Sequence, residues 1–370
     1  MTQDERPLPP GLSIDLCTSQ DRMEQARLFN AVFKKAVDHK ALGWRYDENP
    51  HGGAISLLAR PDDEDGVCGY ACSPRIFVPH GEEEHAAPVG ETGDVMTHPS
   101  WRKMGIFSKL DRAAMEESER LGWPCVFGLP NRHSAHIFLK LGWEQVGTIR
   151  HWTHLFRSDE AAKAERYREG RIAKWVTSFV ARRARRTRRT LRQRATDAYE
   201  VQPITRFEED AAKLCAEVAK RHALMVRRDA DYLNWRYLKN PSRLHRALGI
   251  YRPGSGELQG FVVIQVPRRG ESKGWLVDLV AADETASAAA MEAGLEALEK
   301  SGASLAQANA VDHSPWQRDL ERAGFVPPKP ENHLIVILYT HQADHPVAVA
   351  ARDASAWFLT DGDRDDETVG

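Results

Sequence analysis

Short apolar runs and helix-period stretches follow one another along the chain in an order that occurs twice. In the first half, Ile14 to Cys17 reads as a short strand and Met23 to Val37 as a helix. The runs "AISLLA" and "VCGYACSPRIFV", on either side of the polar turn "RPDDEDG", read as a strand pair. A loop rich in Glu, Gly and Pro, residues 79 to 93, leads into the strand "DVMT". A loop and long helix follow ("HPSWRKMGIFSKLDRAAMEESERLG"), then a strand "PCVFGLP", a short helix "RHSAHIFLKLG" and a closing strand "HWTHLF". The second half runs through a helix ending in "DYLNWRYLKNP", the strand pair "RALGIY" and "GFVVIQVPRR", and a strand "GWLVDLVA". The helix "ASAAAMEAGLEALEKSG", the strand "SLAQANA", then "SPWQRDLERAGF" and "LIVILY" complete it. Strands and helices in this order describe a mixed α/β layer, built twice.

Landmarks support a duplication. "WRYDENP" at 44–50 and "WRYLKNP" at 235–241 share five of seven letters 191 residues apart, while Gly142-Trp143 answers Gly324-Phe325 at an offset of 182. The first copy is therefore about nine residues longer between these landmarks, with the loop at 79–93 the expected place. The predicted division is a flexible N-terminus (1–12), a first domain (13–157), a basic linker helix (158–197), a second domain (198–341) and a partly disordered C-terminal tail (342–370). Within the linker, Ile172, Trp175, Val176, Phe179 and Val180 share one helical face, and eight of the thirteen residues from Arg182 to Arg194 are arginine. That segment, 172–194, reads either as a packed connector or as a surface for anionic membrane lipid or RNA.

Composition narrows the class. At 370 residues, 42% hydrophobic and 28% charged, the chain suits two globular domains, and its net charge of −2 gives no overall pull toward nucleic acid. Five scattered cysteines carry no metal-ligand spacing, and no metal is expected. With no signal pattern and no apolar run of eighteen, stable membrane insertion is not expected, and the expected location is cytoplasmic, with a peripheral position on the inner membrane face open through the basic helix.

The informative stretch is "VMTHPSWRKMGIFSKL". A strand ends in a loop carrying Arg102, Lys103 and Gly105, and a helix starts directly after. A helix N-terminus offers unpaired N–H groups and partial positive charge, so a diphosphate fits there if the backbone can come close; Gly105 permits that approach. The stretch resembles the GNAT family of acyl-CoA-dependent N-acetyltransferases, whose Arg/Gln-x-x-Gly-x-Gly/Ala pattern stands here as Arg102 to Phe107. Asn131, Ser134 and Gly142-Trp143 match that family's next landmarks in spacing.

The resemblance implies a tandem GNAT-like α/β protein, each domain a mixed, mostly antiparallel sheet flanked by helices, with the second copy degenerate. It implies acetyl-CoA (or another acyl-CoA) as cofactor. Val95, Met96 and Thr97 would offer main chain to the pantetheine, Arg102, Lys103, Met104, Gly105, Ile106, Phe107 and Ser108 would cradle the diphosphate, and Asn131 with Ser134 would shape the far side. The implied reaction is direct attack of a primary amine of a small molecule, an amino sugar or similar, on the thioester. Two positions depart from the family: Phe138 stands where a Tyr often protonates the thiolate, and Phe107 replaces a small residue. His98 and Asp94 are then the candidate proton-handling residues. In the second copy "AADETASAAAME" replaces the basic loop, and its Asp283 and Glu284 would repel a diphosphate while capping a helix.

Trp44, Arg45 and Tyr46, with Trp235 and Arg236, either close each core or border the acceptor cleft. Since an unpaired buried arginine is costly, an internal ion pair or an anionic ligand must meet these arginines if they are buried. Two other functions remain open at this point: a Fem-type transferase using aminoacyl-tRNA, and a non-catalytic CoA-binding or tethering module.

Overall fold

The computed structural model describes residues 7–34, 36–62, 64–156, 198–327 and 333–365. The expected linker helix lies outside them. In the first half, β1 (Leu12–Leu16), α1 (Arg22–Phe33) and α2 (His39–Tyr46) precede β2 (Ile55–Pro61), β3 (Cys68–Pro79) and β4 (Ala87–Thr97). Then come α3 (Ile106–Arg120), β5 (Cys125–Gly128), α4 (Arg132–Lys140) and β6 (Glu144–Leu155). The second half gives β7 (Glu200–Ile204), α5 (Glu209–Ala219), β8 (Leu224–Val226), α6 (Ala230–Leu233), β9 (His245–Tyr251), β10 (Leu258–Gln265) and β11 (Lys273–Ala281). It ends with α7 (Glu284–Lys300), β12 (Leu305–Val311), α8 (Pro315–Arg322), β13 (His333–Thr340), α9 (Pro346–Ala351) and β14 (Trp357–Phe358).

Two boundaries differ from the sequence reading, each for a local reason. Helix α1 stops at Phe33, short of Val37, because Lys34 turns left-handed (φ 53°) and the Asn30 side chain takes both the N–H and the carbonyl of Val37. The expected loop 79–93 is half strand. Ala87, Pro88 and Val89 pair with Phe77, Ile76 and Arg75, so β4 starts at Ala87 despite its Gly and Pro content. Burial of Ala87 and Val89 against the core outweighs their neighbours' weak strand propensity.

Fourteen strands form one sheet: twelve run in the order β1-β2-β3-β4-β5-β13-β6-β12-β11-β10-β9-β7, and off this path β8 pairs with β3 and β14 with β8. Its centre is an exchange. Strand β13, from the end of the chain, inserts between β5 and β6, pairing Ile337 with Gly128 on one side and Val336 with Gly147 on the other. Strand β6, from the first half, lies against β12, with Ala308 opposite Trp152. Each half thus supplies the strand that covers the other's fifth strand. The boundaries at 157 and 341 do not separate two independent sheets.

A shared core forms where the halves meet. Trp44 and Trp235 stack with ring centroids 4.7 Å apart, and each indole N–H donates to the other's carbonyl (3.2 and 3.0 Å). Phe77, Phe127 and Trp357 pack edge to face beside them. The recurrence of Trp-Arg-Tyr therefore has a structural cause: the two tryptophans pack on each other where the copies meet. Trp357 comes from the segment expected to be a tail. Residues 342–365 are instead ordered, with α9 and β14, and Thr360, Asp361, Asp363, Arg364 and Asp365 are buried. The acidic side chains there are the partners of buried arginines, as the site shows.

Candidate functional site

Strands β4 and β5 are parallel neighbours only from Gly90/Val126 to Thr92/Gly128. Strand β4 continues five residues further, to Thr97, so the main chain of Gly93 to Thr97 leaves the ladder on that side. Opposite Tyr70 the β3–β4 register shifts: Gly69 faces Met96 while Ala71 faces Gly93, which places a β-bulge in β4 at Asp94 and Val95. Asp94 takes a positive φ of 47° there. A strand that parts from its neighbour at a bulge presents free N–H and C=O groups to an extended ligand.

Beyond Thr97 an eight-residue loop, 98 to 105, carries the chain to α3. The His98 N–H donates to the Val67 carbonyl (2.8 Å), and Arg102 Nε donates to the Thr97 carbonyl (3.3 Å). Arg102, Lys103 and Met104 are exposed, while Ile106 and Ser108 are buried and anchor the first turn of α3. Gly105 is the N-cap at φ 80°, a conformation that favours glycine, and no side chain caps the helix. The orphan N–H groups of α3 therefore face a loop with two cations, and this donor set fits a diphosphate.

Asn131 and Ser134 are brought together, as a helix cap: Ser134 N–H donates to Asn131 Oδ1 (3.1 Å) at the start of α4. The two family departures explain each other. Phe107 and Phe138 pack edge to face at 5.2 Å, and Phe138 packs likewise on Trp143 at 5.2 Å. Phe138 is buried and has no proton to give.

The motif residues converge on the bulge. Tyr46 Oη and an Arg45 guanidinium N–H both donate to Asp94 Oδ2. Burial opposes the Arg45 charge, yet Asp94 and Asp365 outweigh it and hold the guanidinium above its ordinary value. Burial and the Asp94 charge push the Tyr46 hydroxyl well up, so it stays protonated as a donor. Asp94 thus anchors the bulge through Arg45 and Tyr46. Trp44, Trp235, Arg45 and Arg236 are each at most 3% exposed and the tryptophans cover each other, so of the two readings these residues close the core. The requirement for an internal partner is met by Asp94 for Arg45.

The second copy repeats this geometry with different partners. Its counterpart of β4, β11, also bulges, with Val263 opposite Asp278 and Ile264 opposite Leu276. Tyr237 Oη donates to Asp278 (2.7 Å), as Tyr46 does to Asp94. Asp278 also pairs with Arg228 (2.9 Å), which binds Asp363 (2.8 Å). Arg236 donates to the carbonyls of Asp361, Gly362 and Arg364. Strands β11 and β12 pair only from Lys273/Leu305 to Trp275/Gln307, and the C-terminal segment fills the gap beyond. Thr360 Oγ1 donates to Asp278 (3.0 Å), and the Asn309 N–H and side-chain amide both donate to Asp361 (2.7 Å each). Gly362 is a glycine because a Cβ there would collide with the Tyr237 hydroxyl.

At the mouth of that second gap the loop is only Ala282 and Asp283, and Asp283 caps α7 by accepting from Thr285 and Ala286 N–H (2.8 Å each). The second helix N-terminus is already taken by its own carboxylate. From there the segment runs on to the first copy, where Asp365 pairs with Arg75 beside Glu91. Burial works against the Asp365 carboxylate, but Arg75, Arg45 and Arg236 hold it below its ordinary range.

Sequence reasoning missed Asp278, Arg228, Arg75 and the buried carboxylates of 361–365. A signal for Asp278 existed: it stands three residues before the end of its strand, as Asp94 does. Nothing marked the acidic end as buried, because isolated acids near a terminus read as solvated.

Residues 13–146 match the model of the Acetyltransferase (GNAT) domain. No curated protein matches the chain by sequence. Among solved structures, the GCN5-related N-acetyltransferase from Kribbella flavida is similar over 90% of this chain and 71% of its own, at 16% identity and a TM-score of 0.58. The Saccharomyces cerevisiae N-myristoyltransferase with bound myristoyl-CoA is similar over 96% and 86%, at 11% identity and 0.61. A tandem GNAT protein from the clavulanic acid biosynthesis pathway is similar over 89% and 98%, at 13% identity and 0.55. At these identities the likeness is one of fold. The chain has a tandem GNAT fold, and within its first half residues 13–146 match the GNAT acetyltransferase domain model.

Proposed function

We propose that the protein is an acyl-CoA-dependent N-acyltransferase that uses the first copy, with acetyl-CoA as donor and a primary amine of a small molecule, such as an amino sugar, as acceptor. The observation that carries this reading is the contrast between two helix N-termini. That of α3 has Gly105, two neighbouring cations and no side-chain cap, whereas that of α7 is capped by Asp283. Bound acetyl-CoA would supply the acyl group as an activated thioester. The rest falls to this chain: Arg102 to Ser108 hold the diphosphate, and the edge of Val95 to Thr97 orients the pantetheine. N–H groups at the bulge, whose shape Asp94, Arg45 and Tyr46 maintain, stabilise charge developing on the carbonyl oxygen. His98, at the open end of β4, takes the proton from the acceptor amine directly or through water. The leaving thiolate takes its proton from solvent, since Phe138 cannot provide one.

The relatives' fold and the domain match support acyl transfer as the class, and the yeast relative's bound myristoyl-CoA supports a CoA thioester as donor. Among the described residues no helix is long and apolar enough to cross a membrane. Residues 172–194 are proposed as the segment that meets anionic lipid or RNA, and cytoplasmic location accompanies this reading.

The test is calorimetric titration of acetyl-CoA into the full chain and into Gly105→Glu. One site per chain, lost in the variant, is the expected result. Two sites would return the second copy to function; no binding would overturn the reading and direct attention to tRNA and vesicles.

A further inference from the structure

A second cavity is built where the other copy's coenzyme slot would open. The end of β11, the first turns of α7, and helix α8 enclose about 510 Å³, within the range of small-molecule sites. Its wall is mixed, and Val218, Leu279, Val280, Ala288, Met291 and Phe358 supply the apolar part. Phe358 closes the inner end, immediately before the C-terminal segment that fills the gap between β11 and β12.

Charge at its mouth selects the ligand. A diphosphate finds no helix N–H there, because Asp283 occupies them, and Glu284 adds a further negative charge. Arg322 is neutralised by Glu284 (3.2 Å) and Asp319 (3.5 Å). Arg221 and Arg318, also at the mouth, contact only backbone carbonyls: Arg221 those of Ala281 and Ala282 (2.8 Å each), Arg318 that of His313 (3.4 Å). Neither makes an ion pair among the described residues, although Arg318, with Arg322, acts on the Asp319 carboxylate, which burial raises to about 6. Between them lies His222, tilted over Phe358 with ring centroids 4.6 Å apart, its Nδ1 buried with no hydrogen-bond partner among the described residues. Burial and the neighbouring arginines push that imidazole down to about 4, so it is neutral at pH 7. A cavity with this apolar wall, two guanidinium groups that make no ion pair and one orphan imidazole nitrogen suits an apolar body ending in a single negative charge.

We propose that this cavity binds a small amphiphilic carboxylate, with its chain between α7 and Phe358 and its head between Arg221 and Arg318. This site does not depend on what the first copy catalyses.

The test uses the full chain and four probes in calorimetric titrations: octanoate, octylammonium, acetate and coenzyme A. Octanoate is expected to bind at one site, with octylammonium and acetate each at least tenfold weaker. Ala288→Trp, which fills the chamber from a half-exposed helix position, is expected to abolish octanoate binding. Arg318→Glu is expected to weaken it at least tenfold without moving the melting temperature, since Arg318 is exposed and settles the matter should Ala288→Trp not fold. Equal binding of octanoate and octylammonium, retention of octanoate by folded Ala288→Trp or by Arg318→Glu, absence of octanoate binding, or competition by coenzyme A for the same site would overturn the proposal.

Discussion

Arg45 and Arg236 occupy the same place in the same motif, and they face different things. Arg45 meets a carboxylate of its own copy, Asp94, at the bulge beside an open strand edge. Arg236 meets three backbone carbonyls of the chain's own C-terminal segment, which lies where the open edge would be. The parts that build the fold are common to both copies: a tryptophan stacked on its counterpart, a tyrosine bonded to an aspartate of β4 or β11, and a bulge at or beside that aspartate. The parts that would hold a ligand differ, with eight loop residues and an uncapped helix in one copy against two residues and a self-capped helix in the other. Duplication here has preserved the scaffold and reassigned the slot.

The largest test separates the copies. Because β13 covers β5 and β6 covers β12, residues 1–156 alone would expose an unpaired strand and lose the partner of Trp44. Neither 1–156 nor 198–370 is expected to show a cooperative melt by circular dichroism when expressed alone, while co-expression is expected to yield a folded heterodimer. A cooperative melt from the first half alone would show the exchange to be dispensable.

Next in size is the paired aspartate substitution. Asp278 and Arg228 are fully buried, so Asp278→Asn leaves that guanidinium with Asp363 as its one carboxylate and is expected to cost about 3 kcal/mol in urea denaturation. Asp94 is 14% exposed and Arg45 also feels Asp365, so Asp94→Asn is expected to cost about half as much or less. Its main effect falls on acyl transfer, through a displaced bulge. Equal stability losses would mean that the two networks bear the same load, against the comparison drawn here.

The sequence showed the order of elements and the duplication because periodicity and a seven-residue repeat are local signals. The diphosphate loop was legible for the same reason: Arg102, Lys103 and Gly105 lie within four residues of one another. The strand exchange was not, because "LIVILY" carries no mark of which sheet it enters. Trp44 and Trp235 could serve a cleft or a seam equally well until their mutual stacking was seen. Asp361, Asp363 and Asp365 were hidden by context, since a carboxylate becomes a core residue only beside an arginine distant in sequence, such as Arg75 or Arg228.

Acid should act on both copies through neutral buried histidines. Burial lowers His51, His222 and His245, His222 to about 4 and His245 to about 3. The unfolded chain then binds more protons than the folded one between these values and about 6.5, so this stability is full above pH 6.5 and is lost as pH falls. A loss of about a few kcal/mol by pH 4 is expected, read from melting temperatures across that range. His51 stacks on Tyr232 across the interface (4.2 Å), so His51→Asn is expected to flatten the slope together with a loss of interface packing, whereas His245→Asn flattens it within the second copy alone.

The smallest effect is the most diagnostic of the slot comparison. Asp283→Ala removes the cap of α7 and leaves its first-turn N–H groups free, at a cost of about 1 kcal/mol. If a free helix N-terminus were enough to hold a diphosphate, this variant would gain a second acetyl-CoA site in calorimetry. No gain is expected. The second copy also lacks six of the eight loop residues, has no counterpart of Arg102 or Lys103, and keeps Thr360 and Asp361 between the strands that a pantetheine would have to part. Acquisition of a second site by this single change would show that the carboxylate cap alone silences the second slot, and that the C-terminal segment yields to the coenzyme.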